Sequence, residues 1–207
     1  MRHAKVLFLP FLLLLVAACQ PRRSHINKER ARDVYRQAEA LLEQDSTQQG
    51  KQLLHRAIRQ ARQENDSHTL YLSQLLLAQQ LSWGDTKGAL DTAREALQTY
   101  DQHPDNERNH LILLDYVATY ASQLAYNEES SFDEALRYAH EAHRLAVASS
   151  DTLGTELVSQ TLTTLANIHW AQEEYPKALD CAREAVQQAT PTLLLGAQQA
   201  YARCLVA

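Results

Sequence analysis

The stretch "KALDCAREAV" (Lys177 to Val186) has a near-copy, "GALDTAREAL" (Gly88 to Leu97), within the same 207 residues. Two looser copies align with them: "GKQLLHRAI" (Gly50 to Ile58) ahead of both and "ALRYAHEAH" (Ala135 to His143) between. Counted from Gly50, Ala89, Ala135 and Ala178, each copy carries Ala seven residues on, at Ala57, Ala96, Ala142 and Ala185. Small side chains at that spacing lie along one face of a helix and let it approach its neighbours closely. What recurs is a packing requirement rather than a duplicated chemical site.

The sequence in front of the last copy completes a unit. From Leu162 it reads "LTTLANIHWAQEEYPKALDCAREAV", with apolar or small residues at Leu162, Leu165, Ala166, His169, Ala178, Ala182 and Ala185. Two antiparallel helices joined by a tight turn place all of these on a shared seam. Gly and Pro are sparse, at five each, while strand-type alternation is absent, so the chain reads as all-α. Start and stop signals agree: Asp85 follows Gly84 at one turn, Ser131 and Glu134 have capping-box spacing, and Pro176 opens a helix. "DQHPDNER" (Asp101 to Arg108) and "SSDT" (Ser149 to Thr152) separate the later units, and Thr190 with Pro191 begins an unpaired terminal helix.

This pattern resembles the tetratricopeptide repeat, whose unit is two antiparallel helices in about 34 residues with small residues at fixed places. Leu162, Leu165, Ala166, Ala178 and Ala185 fall on the family's positions. The resemblance implies an α-solenoid of about seven helices in antiparallel hairpins over residues 26–207, with units at about 28–64, 66–100, 106–148 and 151–189 and a terminal helix at 191–206. Successive second helices start 39, 46 and 43 residues apart, so these units are longer than the family's standard one. The terminal helix carries Leu193, Leu194, Leu195, Tyr201, Leu205 and Val206, where a solenoid cap normally shows a polar outer face. Those residues either fold back over the fourth unit or form a partner or homodimer surface.

The N-terminus predicts an address. Arg2 and Lys5 precede an apolar run from Val6 to Val16, too short to span a bilayer, which needs about 20 residues. "VAAC" (Val16 to Cys19) resembles the lipobox of bacterial lipoproteins, which implies removal of residues 1–18, lipidation of Cys19 and a short tether at 19–25. With five residues between Cys19 and His25, that tether spans at most about 20 Å. The expected location is the bacterial envelope, with membrane contact through the lipid and the outer membrane, facing the periplasm, favoured by Gln20. Residues 20–62 hold 10 basic and 5 acidic side chains, whereas residues 63–207 hold 8 and 20. The acidic remainder argues against nucleic acid as a partner. Cys181 and Cys204 have no metal-type spacing and read as small buried thiols, with a disulfide as the alternative in an oxidising compartment.

No catalytic constellation emerges: there is no phosphate loop, HExxH, GxSxG or paired CxxC. "HEAH" (His140 to His143) could supply two metal ligands, but no third is identifiable, and helix-seam histidines are the favoured reading. The chain is therefore expected to be non-enzymatic, with no cofactor and no metal. In the resembled family the first helix of each pair lines a binding groove. Carried over, its contact places hold Tyr35 and Glu39, then Tyr71 and Gln74, then Asp115 and Thr119, and in the fourth unit Gln160, Thr163, Asn167 and Trp170. Rings and amides suit an extended peptide, so a protein or peptide partner is expected. Asn167 stands where chaperone-binding members carry an asparagine for a C-terminal carboxylate, but Thr163 and Asp115 replace that clamp's cations, so a clamp of that kind is not expected. The resulting expectation is an envelope scaffold or adaptor. The alternatives are the sensor domain of a membrane signalling protein and a glycan-binding lipoprotein.

Overall fold

A computed structural model describes residues 30–127, 130–149 and 152–206. The leader at 1–18, the lipidation candidate Cys19 and the tether to His25 lie outside the described residues. Within them run nine helices: α1 (Ala31–Glu43), α2 (Thr47–Glu64), α3 (Ser67–Leu81), α4 (Thr86–Gln102), α5 (Glu107–Tyr126), α6 (Asp133–Ala148), α7 (Thr152–Ala171), α8 (Tyr175–Gln188) and α9 (Leu194–Leu205). Nine replaces the expected seven because each of the four units forms both of its helices, and α9 adds one. Among the described residues there is no strand. No described helix is long and apolar enough to cross a membrane.

Every helix packs on the next, and α1 also meets α3, α5 meets α7, and α7 meets α9. The chain thus folds as a solenoid of helical hairpins. The repeated small residues explain the close contacts: Ala57, Ala96, Ala142 and Ala185 have no exposed surface, nor do Ala89, Ala135 and Ala178 seven residues before the last three. At Gly50 an added Cβ would lie 2.6 Å from Leu42 Cγ, so the α1–α2 crossing leaves no room for a side chain. Length differences sit in the first helices. Helix α1 has 13 residues whereas α5 and α7 have 20 each, which accounts for the wide spacing of the later units.

Among the described residues, three turns close without glycine. Asp45, Asn65 and Glu173 take left-handed φ values of 58°, 54° and 62°. In each case the following amide bonds back to the last turn: Ser46 to the Leu41 carbonyl at 2.9 Å, Asp66 to Ala61 at 3.0 Å and Glu174 to His169 at 2.9 Å. This is the six-to-one closure of a Schellman motif, which satisfies carbonyls the helix end would leave unpaired. Starts are capped by side chains: Asp66 accepts from Thr69 N, Asp85 from Gly88 N and Asn106 from Arg108 N. Pro176 lies in the first turn of α8. Ser131 departs from the capping-box expectation, accepting from Asp133 N at 3.2 Å, while Glu134 turns away to pair with Arg94 of the preceding hairpin.

Among the described residues, four clusters of buried side chains form the core. The largest runs from Tyr71 through α4, α5 and α6 to Ile168, and Ala38, Leu54, Ile58 and Leu77 join the first hairpin to α3. Helix α9 docks on α7 and α8 through Ala197, Ala200 and Cys204. It leaves Leu195, Leu205 and Val206 exposed, so the fold-back accounts for only part of its apolar surface. Both Cys181 and Cys204 are free thiols beside one another in that contact, and burial raises the pKa of each.

Candidate functional site

A cavity of about 640 Å³ opens between the C-terminal halves of α5 and α7. The α3–α4 turn contributes Ser82 and Thr86 to its wall, and α9 contributes Arg203. Two aromatic rings, Tyr126 and Trp170, face it with centroids 6.4 Å apart and planes tilted by 32°. Amide side chains come from Gln123, Asn127 and Asn167, and hydroxyls from Thr119, Ser122 and Thr164. Arg203 donates from Nη1 to Asn167 Oδ1 at 3.3 Å, and its guanidinium carbon stands 5.4 Å from the Trp170 ring centroid. The cavity therefore offers ring surface, paired donors and acceptors and one cation, which are recognition groups.

The site's shape follows from the sequence of α5 and α7. Helix α5 buries Asp115, Ala118 and Ala121 along the side that meets its neighbours, and Thr119, Ser122 and Gln123 follow on the cavity wall. Tyr116 and Tyr120 bond Gln79 of α3 and Ser82 of the turn after it, and burial raises the pKa of both phenols. Beyond the wall, Asp115 is 4% exposed and accepts from Gln160 Nε2 at 2.7 Å and from Thr164. Its Oδ1 has no partner among the described residues. Burial outweighs these two bonds and raises its pKa, because a charged carboxylate loses its hydration there.

The ten groove candidates are placed unevenly. Thr119, Asn167 and Trp170 come together in the cavity. Asp115 and Gln160 meet across the adjoining α5–α7 seam, while Thr163 Oγ1 donates within α7 to the Ser159 carbonyl at 2.8 Å. Tyr35 and Glu39 form their own half-buried pair in the first hairpin, 2.6 Å apart. Gln74 is buried between α3 and α4, donating to Glu95 at 3.0 Å and accepting from Thr99 at 3.2 Å.

Tyr71 has no exposed surface on its ring. Its hydroxyl donates to the Asp105 carboxylate, 2.8 Å from each oxygen, and accepts from Asn109 Nδ2 at 2.8 Å. His68 Nδ1 lies 2.9 Å from the same hydroxyl and also bonds Asp105. Tyr100 meets Tyr71 edge-on at 5.6 Å and stacks on His110 at 5.0 Å. These groups tie α3, α4 and α5 together around the loop at 103–106. A second cavity, about 700 Å³, lies next to that loop and is lined by Asn106, Arg108, His110 and residues of α6 and α7. It lacks the aromatic pair of the first.

The sequence reading did not single out Tyr126, Asn127 or Arg203. Tyr126 is 59% exposed at the end of α5, and its position in the sequence alone does not mark it. Of the "HEAH" pair, His143 faces Thr161 at 3.1 Å, where burial lowers its pKa, and His140 is exposed. Among the described residues no cluster of three or more His, Cys, Asp or Glu side chains is placed to hold a metal ion.

With hairpins and cavity in view, the class is that of a tetratricopeptide-like helical repeat solenoid. The chain resembles the solved signal transduction ATPase with numerous domains (STAND) protein with a tetratricopeptide repeat sensor from Pyrococcus horikoshii, with a TM-score of 0.65 at 16% identity. The alignment covers 93% of this chain and 28% of that one, so the chain spans little more than a quarter of its structural neighbour's length. No protein-family model and no curated protein matches the sequence.

Proposed function

We propose that this chain is a protein-interaction scaffold that takes an extended segment of a partner protein in the α5–α7 cavity. The observation that carries this reading is the lining: two rings, three amides and a row of hydroxyls converge on about 640 Å³. Amides offer a donor and an acceptor side by side, which matches a peptide group, and rings supply contact area at low entropic cost. A helical-hairpin solenoid suits this work, since its extended surface is built from units that contact only their neighbours. It is a non-enzymatic role.

The chain is further proposed to be a lipoprotein of the bacterial envelope, held by lipid on Cys19 and acting in envelope assembly or as an adaptor. The support is the sequence of Val16 to Cys19 behind a short apolar run. Palmitate labelling lost on Cys19→Ser tests the anchor; label that persists in the variant refutes it.

The partner is tested by photo-crosslinking. A benzophenone side chain at Thr119, inside the cavity, should capture polypeptide in cells, whereas the same group at Gln48, on the exposed surface of α2, should not. Equal capture at both positions, or none at Thr119, overturns the reading. A sensor role is the second proposal, favoured because the structural neighbour's likeness lies in a protein described as having a repeat sensor. An in-frame signalling segment downstream in the genomic DNA would decide for it.

A further inference from the structure

Helix α2 carries four basic side chains, Lys51, Arg56, Arg59 and Arg62, against one acid, Glu64. None of the other described helices holds more than one basic residue in excess of its acids. The charge also has a direction. Gly50, Leu54, Ala57, Ile58 and Ala61 are buried on the side that meets α1 and α3. Lys51, His55, Arg59 and Arg62 follow one another at intervals of four, four and three residues, so they share the opposite side in a row about 17 Å long. Lys51 is half-buried and the other three are exposed, and the neutral Gln48, Gln52 and Gln63 complete that side. The exposed sides of the other second helices mix signs: Asp91 and Glu95 with Lys87 on α4, Asp133 with Arg137 and Arg144 on α6, and Asp180 and Glu184 with Lys177 and Arg183 on α8.

We infer that this side of α2 is a contact surface for an anionic phospholipid bilayer, lying against the headgroups while the later units point away. The inference rests in part on the lipid anchor proposed above. Two observations select lipid as the occupant. The first is where the chain enters the fold. Ala31 N donates to Glu64 Oε2 at 3.1 Å, so the segment arriving from Cys19 joins α1 beside the end of α2 that carries Arg59 and Arg62. Residues 20–29 are themselves basic, with three cations against one acid, and the eleven steps from Cys19 to Arg30 span at most about 40 Å. The second observation is the polarity of the whole chain. Residues 63–207 carry 8 basic against 20 acidic groups, so an anionic plane attracts the first hairpin and repels the units beyond it. The bilayer's field decays within about 8 Å at physiological salt, so the row in contact gains while acids held further out lose little. In that orientation the α5–α7 cavity, two units away, stays open to a partner protein.

Vesicle flotation tests the surface apart from the anchor, using the mature chain, residues 19–207, with Cys19→Ser so that no lipid is attached. It should float at low salt with vesicles of equal parts phosphatidylcholine and phosphatidylglycerol, stay behind with phosphatidylcholine alone, and be released as salt is raised. Lys51→Gln combined with Arg59→Gln removes two cations and spares Arg62, which pairs with Glu95 at 3.2 Å. That variant should bind about thirty-fold more weakly, near five-fold for each residue. Arg137→Gln combined with Arg144→Gln makes the same change of net charge on α6 and should leave binding within about two-fold. In the full chain, a benzophenone at Gln52 of α2 should capture phospholipid in cells, and the same group at Gln98, exposed on α4, should not. No flotation with the anionic vesicles, equal losses in the two double variants, or equal capture at Gln52 and Gln98 overturns the inference. Binding to duplex DNA or to an acidic polysaccharide with none to vesicles assigns the row to another polyanion and refutes it as well. Palmitate labelling decides the anchor separately, so either reading can fail while the other holds.

Discussion

Arg203 of α9 donates to Asn167 of α7 across 3.3 Å, and this bond ties the unrepeated terminal helix to the cavity wall. One neutral-acceptor hydrogen bond and one partly exposed cation–π contact are together worth about 1 kcal/mol. Arg203→Ala is therefore expected to cost no more than about that in urea unfolding. Its larger effect should be optical. The chain has two tryptophans, and Trp83 is 91% exposed, so in a Trp83→Phe background the emission reports Trp170. Removing Arg203 should shift that emission; an unchanged spectrum would mean that the guanidinium does not rest on the indole.

Tyr71→Phe keeps the buried ring and removes the hydroxyl that Asp105, Asn109 and His68 share. The expected loss is about 1–3 kcal/mol, because Asn109 and Asp105 each lose a partner in a network. A pH signature accompanies it. Burial raises the Asp105 carboxyl, but bonds from His68 and Tyr71 outweigh burial and hold it below its ordinary 3.8. A carboxyl with a lowered folded value adds stability that is present above the unfolded value and lost as pH falls through the folded one. Without the tyrosine bond the folded value rises toward the unfolded one, so the acid loss should be smaller and be complete at higher pH than in the wild type, read by urea midpoints across the acid range. Superimposable acid limbs would show that the hydroxyl does not hold Asp105.

Asp115→Asn should do the reverse. Burial raises the wild-type carboxyl above 3.8, so the folded protein favours the protonated form. Its stabilising contribution is complete below the unfolded value and is lost as pH rises through the folded one. Asparagine keeps an oxygen for Gln160, whose Nε2 donates to Asp115 Oδ2 at 2.7 Å, and never ionises. The variant should match wild type in acid and exceed it at neutral pH. A wild-type curve flat across that window would refute the buried-acid account.

The hairpins were legible because packing writes itself locally: alanine at fixed spacing, Asp85 at a cap and Pro176 in a first turn. The helix number follows from the same units, four of two helices and a terminal one, which make the nine seen among the described residues against the seven expected. Groove positions were harder still. Helix α3 buries Thr69, Tyr71, Ser73, Gln74, Leu75, Leu77 and Ala78, which lie around most of its circumference, so periodicity alone does not mark a free face. Tyr71 is covered by a loop from the next unit and Arg203 arrives from outside the repeats; both are long-range placements.

The repeated small residue can be tested at its least ordinary copy. Gly50 is buried in α2, and a Cβ there would meet Leu42 Cγ and Cδ2 at 2.6 Å. Alanine gains about 1 kcal/mol over glycine in a helix interior, yet forcing a methyl into a filled contact costs about 1–3 kcal/mol. Because the clash involves the branch point of Leu42 and not only its tip, the cost should win, and Gly50→Ala should destabilise by up to about 2 kcal/mol. Gly196, exposed in α9, has nothing within 4 Å of the added carbon. Gly196→Ala should stabilise by about 0.5 kcal/mol, less than a mid-helix site because it lies in the first turn. Opposite signs for the two variants in urea unfolding are the expected result. If Gly50→Ala stabilises as Gly196→Ala does, Leu42 yields freely, and the small residue at the start of each second helix is not what lets the hairpins close.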